Sequence, residues 1–123
     1  MDSYEQGVEQ LEKMLGAEKA HSVISKFRSL SPLFEREAVS VVFGRTWSRE
    51  QIDLKTRSLC SICILAALGR INALKINFTL AMENGATKEE IVEILLQVAI
   101  YAGYPAALDA LTMLHEVLVE QNA

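Results

Sequence analysis

Asn77 is a polar residue on a helix face that the sequence pattern predicts to be buried. In the stretch LKINFTLAMENGATKEE (residues 74–90) it shares that face with Leu74 and Ala81, whereas Lys75 belongs to a separate polar stripe. An unpaired buried amide costs roughly 1–3 kcal/mol. We therefore expect Asn77 to have either a structural partner or a function, although an amide cannot act as a general base near neutral pH.

Cys60 and Cys63 form a C-x-x-C pair. Such a pair at the start of a helix can do redox chemistry, because the helix N-terminus stabilises a thiolate. Here the pair lies about two turns inside a predicted helix, where cysteine behaves as a small hydrophobic side chain. Position 67 is alanine and supplies no base, and His21 and His115 lie far away in sequence, so no zinc site is expected. Core packing is the first interpretation and a redox pair the second.

Arg57 lies in the first turn of a predicted helix that soon becomes wholly apolar, so its guanidinium is expected at the rim of the core. Trp47 and Arg49 come from the segment before that helix. Together the three could hold a carboxylate, since arginine offers a planar pair of donors and the indole a flat wall. Alternatively, Arg57 is a surface residue that pairs with Asp53 one turn earlier. Both interpretations are open.

These residues must be positioned by helices, because no segment shows the sustained alternation of a strand. We predict an all-α chain of five or six helices. Helix starts are predicted at Ser31–Pro32 and after Asp53, and a capping box at Thr87 with Glu90. Helix ends are predicted at Gly16, Gly44, Gly69 and Gly85, with a loop or short helical turn over 44–53 and an interruption over 101–106.

The composition suits one cytoplasmic domain. The chain has 123 residues, 50% of them hydrophobic and 23% charged, which indicates a dense core and a single domain over residues 1–123. The net charge is −4 and no Lys or Arg occurs from residue 89 to the end, so no nucleic-acid partner is expected. The N-terminus lacks the pattern of a signal peptide, and no apolar run reaches the roughly 20 residues of a membrane span. Two cysteines without a secretory signal indicate a reducing location.

Two predicted helices are apolar around nearly their whole circumference. They contain LCSICILAALG (residues 59–69) and IVEILLQVAIYAG (residues 91–103). A helix of this kind must be covered on every side, and the chain has too few other helices to enclose both. The excess apolar surface therefore predicts a homo-oligomer.

Three blocks of the sequence, taken together, resemble one family. WSREQIDLKTRSL (47–59), LKINFTLAMENGATKEEIVEILLQ (74–97) and AIYAGYPAALDAL (99–111) are similar to the small γ-carboxymuconolactone decarboxylases of aromatic catabolism, relatives of the alkylhydroperoxidase D-type proteins. The N-terminal YEQGVEQLEKMLG also fits, so the resemblance covers nearly the whole chain. It implies an alkylhydroperoxidase D-like helical bundle that assembles into a ring-like homo-oligomer, a trimer or hexamer.

The resemblance also implies an activity, that of a cofactor-free lyase that removes CO2 from a small cyclic carboxylate. Such a reaction needs a cation to hold the carboxylate and a group to protonate the resulting carbanion. On this implication Arg57 binds the carboxylate, and Asn77 polarises a substrate oxygen. Trp47, Arg49 and Tyr104 shape the substrate site. No metal or other cofactor is implied.

The sequence departs from the family pattern at Asn77, where the decarboxylases have a histidine. A second histidine, in the last helix of those enzymes, falls where this chain has Thr112. The redox cysteines of the peroxidase relatives would align near Arg70 and Ala73. The C-x-x-C of this chain is therefore not the pair that those relatives use.

Three functions are open at the level of the sequence. The first is a decarboxylase-like lyase, which Ser58 beside Arg57 favours, because that branch of the family tends to have serine there. The second is a thiol-dependent peroxidase of the peroxiredoxin type working through Cys60 and Cys63. The third is a non-catalytic, small-molecule-binding oligomer of the same fold.

Overall fold

The computed structural model of the chain describes residues 1–122, which are helical apart from the connecting turns. Seven α-helices and one π-helical segment follow one another. In order they are α1 (Ser3–Leu15), α2 (Ala17–Leu30), α3 (Pro32–Ala38), the π-helical segment (Val39–Trp47), α4 (Leu54–Leu68), α5 (Ile71–Glu83), α6 (Lys88–Ala102) and α7 (Tyr104–Gln121). No strand occurs among these residues, so the all-α prediction is confirmed, although the helices outnumber the five or six predicted.

Local sequence signals set several helix boundaries where they were predicted. Ser31 Oγ accepts a hydrogen bond from the backbone N–H of Phe34 (3.1 Å) at the start of α3. Before α6, Thr87 Oγ1 accepts from the N–H of Glu90 (3.1 Å), and Glu90 Oε1 accepts from the N–H of Thr87 (2.9 Å). This reciprocal pair is the predicted capping box.

The predicted helix end at Gly44 is wrong, because the π-helical segment continues through it. Gly44 packs against α1 instead: a Cβ at this position would collide with the backbone carbonyl of Ser3. A Cβ at Gly7 would likewise collide with the carbonyl of Val39. Gly44 therefore permits a close backbone approach rather than a helix stop. Only residues 48–53 connect helices in the stretch predicted as a loop or short turn.

The interruption predicted over residues 101–106 is confined to Gly103. This residue has a φ of 104°, which a residue with a side chain rarely adopts, and it separates α6 from α7. Pro105 lies in the first turn of α7, where its missing N–H removes no intrahelical hydrogen bond. The predicted break is therefore real but much shorter than the sequence indicated.

The chain divides into two compact units, Met1–Asp53 and Leu54–Ala123. In the first unit α1 packs against α2 and the π-helical segment, and α3 packs against both of these as well. Arg28 Nε donates to Oε1 of the buried Glu35 (2.8 Å), and Arg28 Nη2 donates to the Tyr4 hydroxyl (3.2 Å). These contacts raise the pKa of Arg28, chiefly through the hydrogen bond to Glu35.

In the second unit α4 is the central helix. It packs against α5, α6 and α7, and α5 and α6 each pack against α7. The core of this unit consists of buried aliphatic side chains around Phe78, namely Ile62, Ala66, Leu74, Ala81, Ala86, Ile91, Leu95, Val98, Ala110, Leu114 and Val117. The first turn of α4, which carries Arg57, is therefore anchored to a packed four-helix core.

None of the described helices is both long enough and apolar enough to cross a bilayer.

Candidate functional site

Arg57 is the most distinctive polar residue of the second unit. Its Nε atom is buried and has no hydrogen-bond partner among residues 1–122. Nor does its side chain form an ion pair with another described residue of the second unit, and the pairing with Asp53 considered from the sequence stays a prediction. A buried charged donor without an acceptor is costly, and a carboxylate would satisfy it in the planar geometry that arginine prefers.

Ser58, the neighbour of Arg57, is 1% exposed, and its hydroxyl takes part in two hydrogen bonds. Its hydroxyl donates to the carbonyl oxygen of Leu54 (2.8 Å) and accepts from Asn84 Nδ2 (2.9 Å). Asn84 directly follows the last residue of α5. This buried contact therefore fixes the start of α4 beside the end of α5.

Lys55 makes a second cross-helix contact from the same turn of α4. Its Nζ lies 2.8 Å from Glu90 Oε2 in α6. The pKa of Glu90 is lowered, first by the hydrogen bond from Lys55 and then by the backbone hydrogen bond at Thr87. The two contacts, through Lys55 and Ser58, lie on either side of Arg57 in sequence.

Asn77 has a structural partner within its own helix. Its Nδ2 donates to the carbonyl oxygen of Ala73 (2.8 Å), and the side chain is half-buried. Asn84 contacts Ser58 and therefore lies beside the start of α4. Asn77 lies seven residues before Asn84 (84 − 77). At 1.5 Å per residue this is roughly 10 Å along the axis of α5. For one ligand to contact both Asn77 and Arg57, the length of the ligand and the length of the extended arginine side chain must together span this distance.

Tyr104 begins α7 and is 71% exposed. Within residues 1–122 no hydrogen bond, ion pair or ring contact joins Tyr104, Arg57 and Asn77 to one another. Their assignment to one site stays a prediction.

Trp47 and Arg49 belong to the first unit. Trp47 ends the π-helical segment, is 6% exposed and stacks on Phe43 with ring centroids 6.3 Å apart. Arg49 is exposed, and its backbone N–H donates to the carbonyl oxygen of Thr46 (3.1 Å). The predicted carboxylate site that combines these two residues with Arg57 stays a prediction.

The two cysteines differ in exposure. Cys63 is half-buried, and its Sγ lies 4.0 Å from the carbonyl oxygen of Ile94. Burial raises the pKa of Cys63, and the charge of a Cys60 thiolate raises it further. Cys60 is exposed, so the core-packing prediction is wrong for this residue. It lies on the outer face of α4, where the sequence places excess apolar surface.

The histidines take no part in a cluster. His21 is exposed on α2, and its Nε2 lies 3.3 Å from Ser25 Oγ. His115 is exposed on α7. No group of three or more His, Cys, Asp or Glu side chains that could hold a metal occurs in the described range 1–122.

The cross-helix contacts of Ser58 and Lys55 are the part of this region that sequence reasoning missed. Their partners lie far away along the chain, at Asn84 and Glu90. A buried serine next to an arginine was visible in the sequence, but nothing local indicates which residue satisfies it. The signal that could have found Glu90 was the capping box, because it leaves one carboxylate oxygen available to a neighbouring lysine.

A helical architecture of this kind is consistent with the alkylhydroperoxidase-like fold. The chain belongs to the carboxymuconolactone decarboxylase family, whose sequence model matches residues 32–116. The resemblance noted from the sequence blocks is thereby confirmed.

Three relatives can be aligned with most of this chain, and two of them have names that describe a reaction. The sequence is 33% identical to the 4-carboxymuconolactone decarboxylase of Acinetobacter baylyi, over 93% of this chain and 85% of that protein. It is 25% identical to the nitrosuccinic acid decarboxylase of Metarhizium robertsii, over 94% of this chain and 80% of that protein. An uncharacterised 15.0 kDa protein of Paracoccus denitrificans is 31% identical, over 83% of this chain and 78% of that protein.

Proposed function

We propose that the protein is a decarboxylase-like lyase that releases CO2 from a small cyclic carboxylate without a cofactor. The observation that carries this proposal is the buried Nε–H of Arg57, which has no partner among the described residues. An anionic acceptor would relieve its desolvation, and a carboxylate matches the guanidinium geometry. Family membership and the similarity to two proteins named as decarboxylases support the reaction class.

In the proposed reaction Arg57 holds the substrate carboxylate while the bond from that group to carbon breaks. The electron pair of the bond moves onto a conjugated substrate oxygen, CO2 leaves, and a proton from water or from the Tyr104 hydroxyl adds to carbon. Asn77 supplies a donor to the oxygen that becomes negative. Its Nδ2 carries two protons, of which one is donated to the carbonyl oxygen of Ala73, so the other is available.

The test is CO2 release from γ-carboxymuconolactone by the purified protein, measured beside an Asn77→His variant. Turnover by the unmodified protein supports the proposal and shows that the amide suffices. If only the variant releases CO2, the protein has a decarboxylase site that lacks its acid–base residue. If neither protein releases CO2, the proposed activity is wrong, and the chain shares only its fold with the named decarboxylases.

The role of Arg57 is tested by Arg57→Gln, which removes the charge and keeps much of the length. We expect kcat/KM to fall roughly tenfold to a hundredfold, the range for losing a charged hydrogen bond. Arg70→Gln is the matched control, because Arg70 is an exposed arginine of the same unit. Equal kinetics for the two variants would remove Arg57 from the site.

A second candidate function is ligand binding without turnover. The observation in its favour is that Asn77 cannot exchange a proton near neutral pH, and one of its N–H groups is already bonded to its own helix. Thermal stabilisation by γ-carboxymuconolactone without CO2 release would support this alternative. The peroxidase alternative is less favoured, because Cys63 is half-buried with a raised pKa.

We also propose that the protein works as a cytoplasmic homo-oligomer, a trimer or hexamer. The second unit exposes large apolar side chains that a partner copy would cover, among them Ile64, Leu68, Ile100 and Leu108. The proposed substrate is a small molecule, and the site needs no nucleic acid or membrane.

A further inference from the structure

The Arg57 side chain has no hydrogen bond or ion pair that holds its guanidinium in one direction, although its Nε is buried. Among residues 1–122 it makes no hydrogen bond or ion pair through its guanidinium. A long side chain without such contacts loses conformational freedom on binding, which weakens the binding of a ligand. Because no hydrogen bond fixes the guanidinium, the backbone turn that carries Arg57 sets the side of α4 from which this side chain projects.

That backbone turn is held at two points. Lys55 contacts Glu90 of α6 (2.8 Å), and Ser58 contacts Asn84 at the end of α5 (2.9 Å). Lys55 and Ser58 are three residues apart, so they lie on one side of α4 and Arg57 projects from a different side. A turn that is attached to two different helices cannot rotate about its own axis, and this fixes the side from which Arg57 projects.

The two attachments are not equivalent. The Lys55 and Glu90 side chains are 39% and 36% exposed, so water and salt weaken their interaction. Ser58 is 1% exposed, and loss of its partner would leave a hydroxyl buried with one fewer hydrogen bond. Asn84 is also held firmly, because its backbone N–H donates to the carbonyl oxygen of Leu80 (2.9 Å). The buried contact is therefore the stronger constraint.

We propose that Asn84 is a positioning residue for Arg57: through its hydrogen bond to Ser58 it fixes the first turn of α4, so that the guanidinium is aimed at the substrate carboxylate before the substrate binds. This inference rests on the proposed function of Arg57. Asn84 itself does not contact the substrate. It acts on binding and orientation, not on proton transfer.

The first experiment compares Asn84→Ala and Asn84→Asp in steady-state CO2 release. Aspartate keeps the size of asparagine but has no N–H to donate, so both variants lose the bond to Ser58. We expect KM to rise roughly tenfold to a hundredfold in both, the range for weakening a charged hydrogen bond between Arg57 and the substrate, with a smaller change in kcat. Lys75→Met is the control, because it breaks only the exposed pair with Glu120 (3.1 Å).

A double-mutant cycle separates positioning from general stability. If Asn84 acts through Arg57, Asn84→Ala has no further effect on KM in an Arg57→Gln background. Additive losses in the double variant would overturn the proposal.

A second readout needs no substrate. The Nε–H of Arg57 is buried in the native protein and is expected to exchange slowly with solvent in ¹⁵N nuclear magnetic resonance. Asn84→Ala should accelerate this exchange, and Lys75→Met should not. Unchanged exchange in Asn84→Ala overturns the inference. If the native protein neither turns over nor binds the lactone, the proposed function fails by itself, while the exchange rates still decide whether Asn84 orients Arg57.

Discussion

The polar side chains of the candidate site differ in whether their hydrogen-bonding groups have partners. Arg57 has a buried donor without an acceptor among the described residues, whereas Asn77 has found a partner in its own helix. The first is compatible with the proposed binding of a carboxylate, and the second is compatible with a structural role alone. Arg57 is therefore the better starting point for mutagenesis, although the family pattern draws attention to position 77.

At Cys63 we predict resistance to alkylation. Burial raises the pKa of this thiol from an ordinary value of 9.0, so very little of the reactive thiolate exists near neutral pH. Native protein treated with iodoacetamide at about pH 7.5 should carry no modification at Cys63 by peptide mass spectrometry, whereas protein unfolded in guanidinium should be modified there. Rapid modification of native Cys63 would contradict this and would revive the peroxidase alternative.

The helices illustrate which features a sequence predicts and which it does not. The caps at Ser31 and Thr87 were predicted, because each joins groups within three residues of one another. Gly44 was misinterpreted, because its role depends on Ser3, which is distant in sequence. The contact of Ser58 with Asn84 was missed for the same physical reason, since 26 residues separate the two. The fold is therefore largely predictable here, whereas the surroundings of Arg57 needed the packed helices.

For the attachment of α4 to α6 we predict a pH dependence. The pKa of Glu90 in the folded protein is lowered below its ordinary value of 4.5, so the ionised form favours the folded state. This stabilisation is fully present above about pH 4.5 and is lost as the pH falls through the lowered pKa. The melting temperature of Glu90→Gln should therefore lie below that of the unmodified protein near pH 6, with a difference that shrinks on acidification.

Glu116→Gln is the control for this titration, since Glu116 is an exposed carboxylate of α7. It should follow the unmodified protein at every pH. A gap between Glu90→Gln and the unmodified protein that stays constant down to about pH 3 would show that the charge of Glu90 is not the source of the stabilisation.

On the scale of the whole molecule, the outer face of α4 is unusually apolar. Ile64 is 59% exposed and Leu68 is 64% exposed, and Cys60 lies on the same side of the helix. Helices that are apolar all round are ordinarily enclosed, and nothing within the second unit covers these side chains. This surface is where the predicted homo-oligomer would find its contact.

We predict that Ile64→Glu dissociates the assembly. Light scattering after size exclusion should give a multiple of 13.7 kDa for the unmodified protein and a smaller species for the variant. Cys60 serves as a reporter, because it should react slowly with iodoacetamide in the assembly and quickly in Ile64→Glu. Asn72→Glu, a change at an exposed residue of α5, should leave the mass and the reactivity unchanged. A mass of 13.7 kDa for the unmodified protein would contradict the oligomer.

Glu90 uses its two carboxylate oxygens for different helices, Oε1 for the N–H of Thr87 and Oε2 for Lys55. Aspartate is one methylene too short for both, and glutamine offers only one acceptor oxygen. Among natural variants of this chain we therefore expect glutamate alone at position 90. The exposed Glu89 and Glu93 on either side should vary without this constraint. Substitutions at Lys55 of α4 and at Glu90 of α6 are therefore expected to occur together, because each residue depends on the other for this contact.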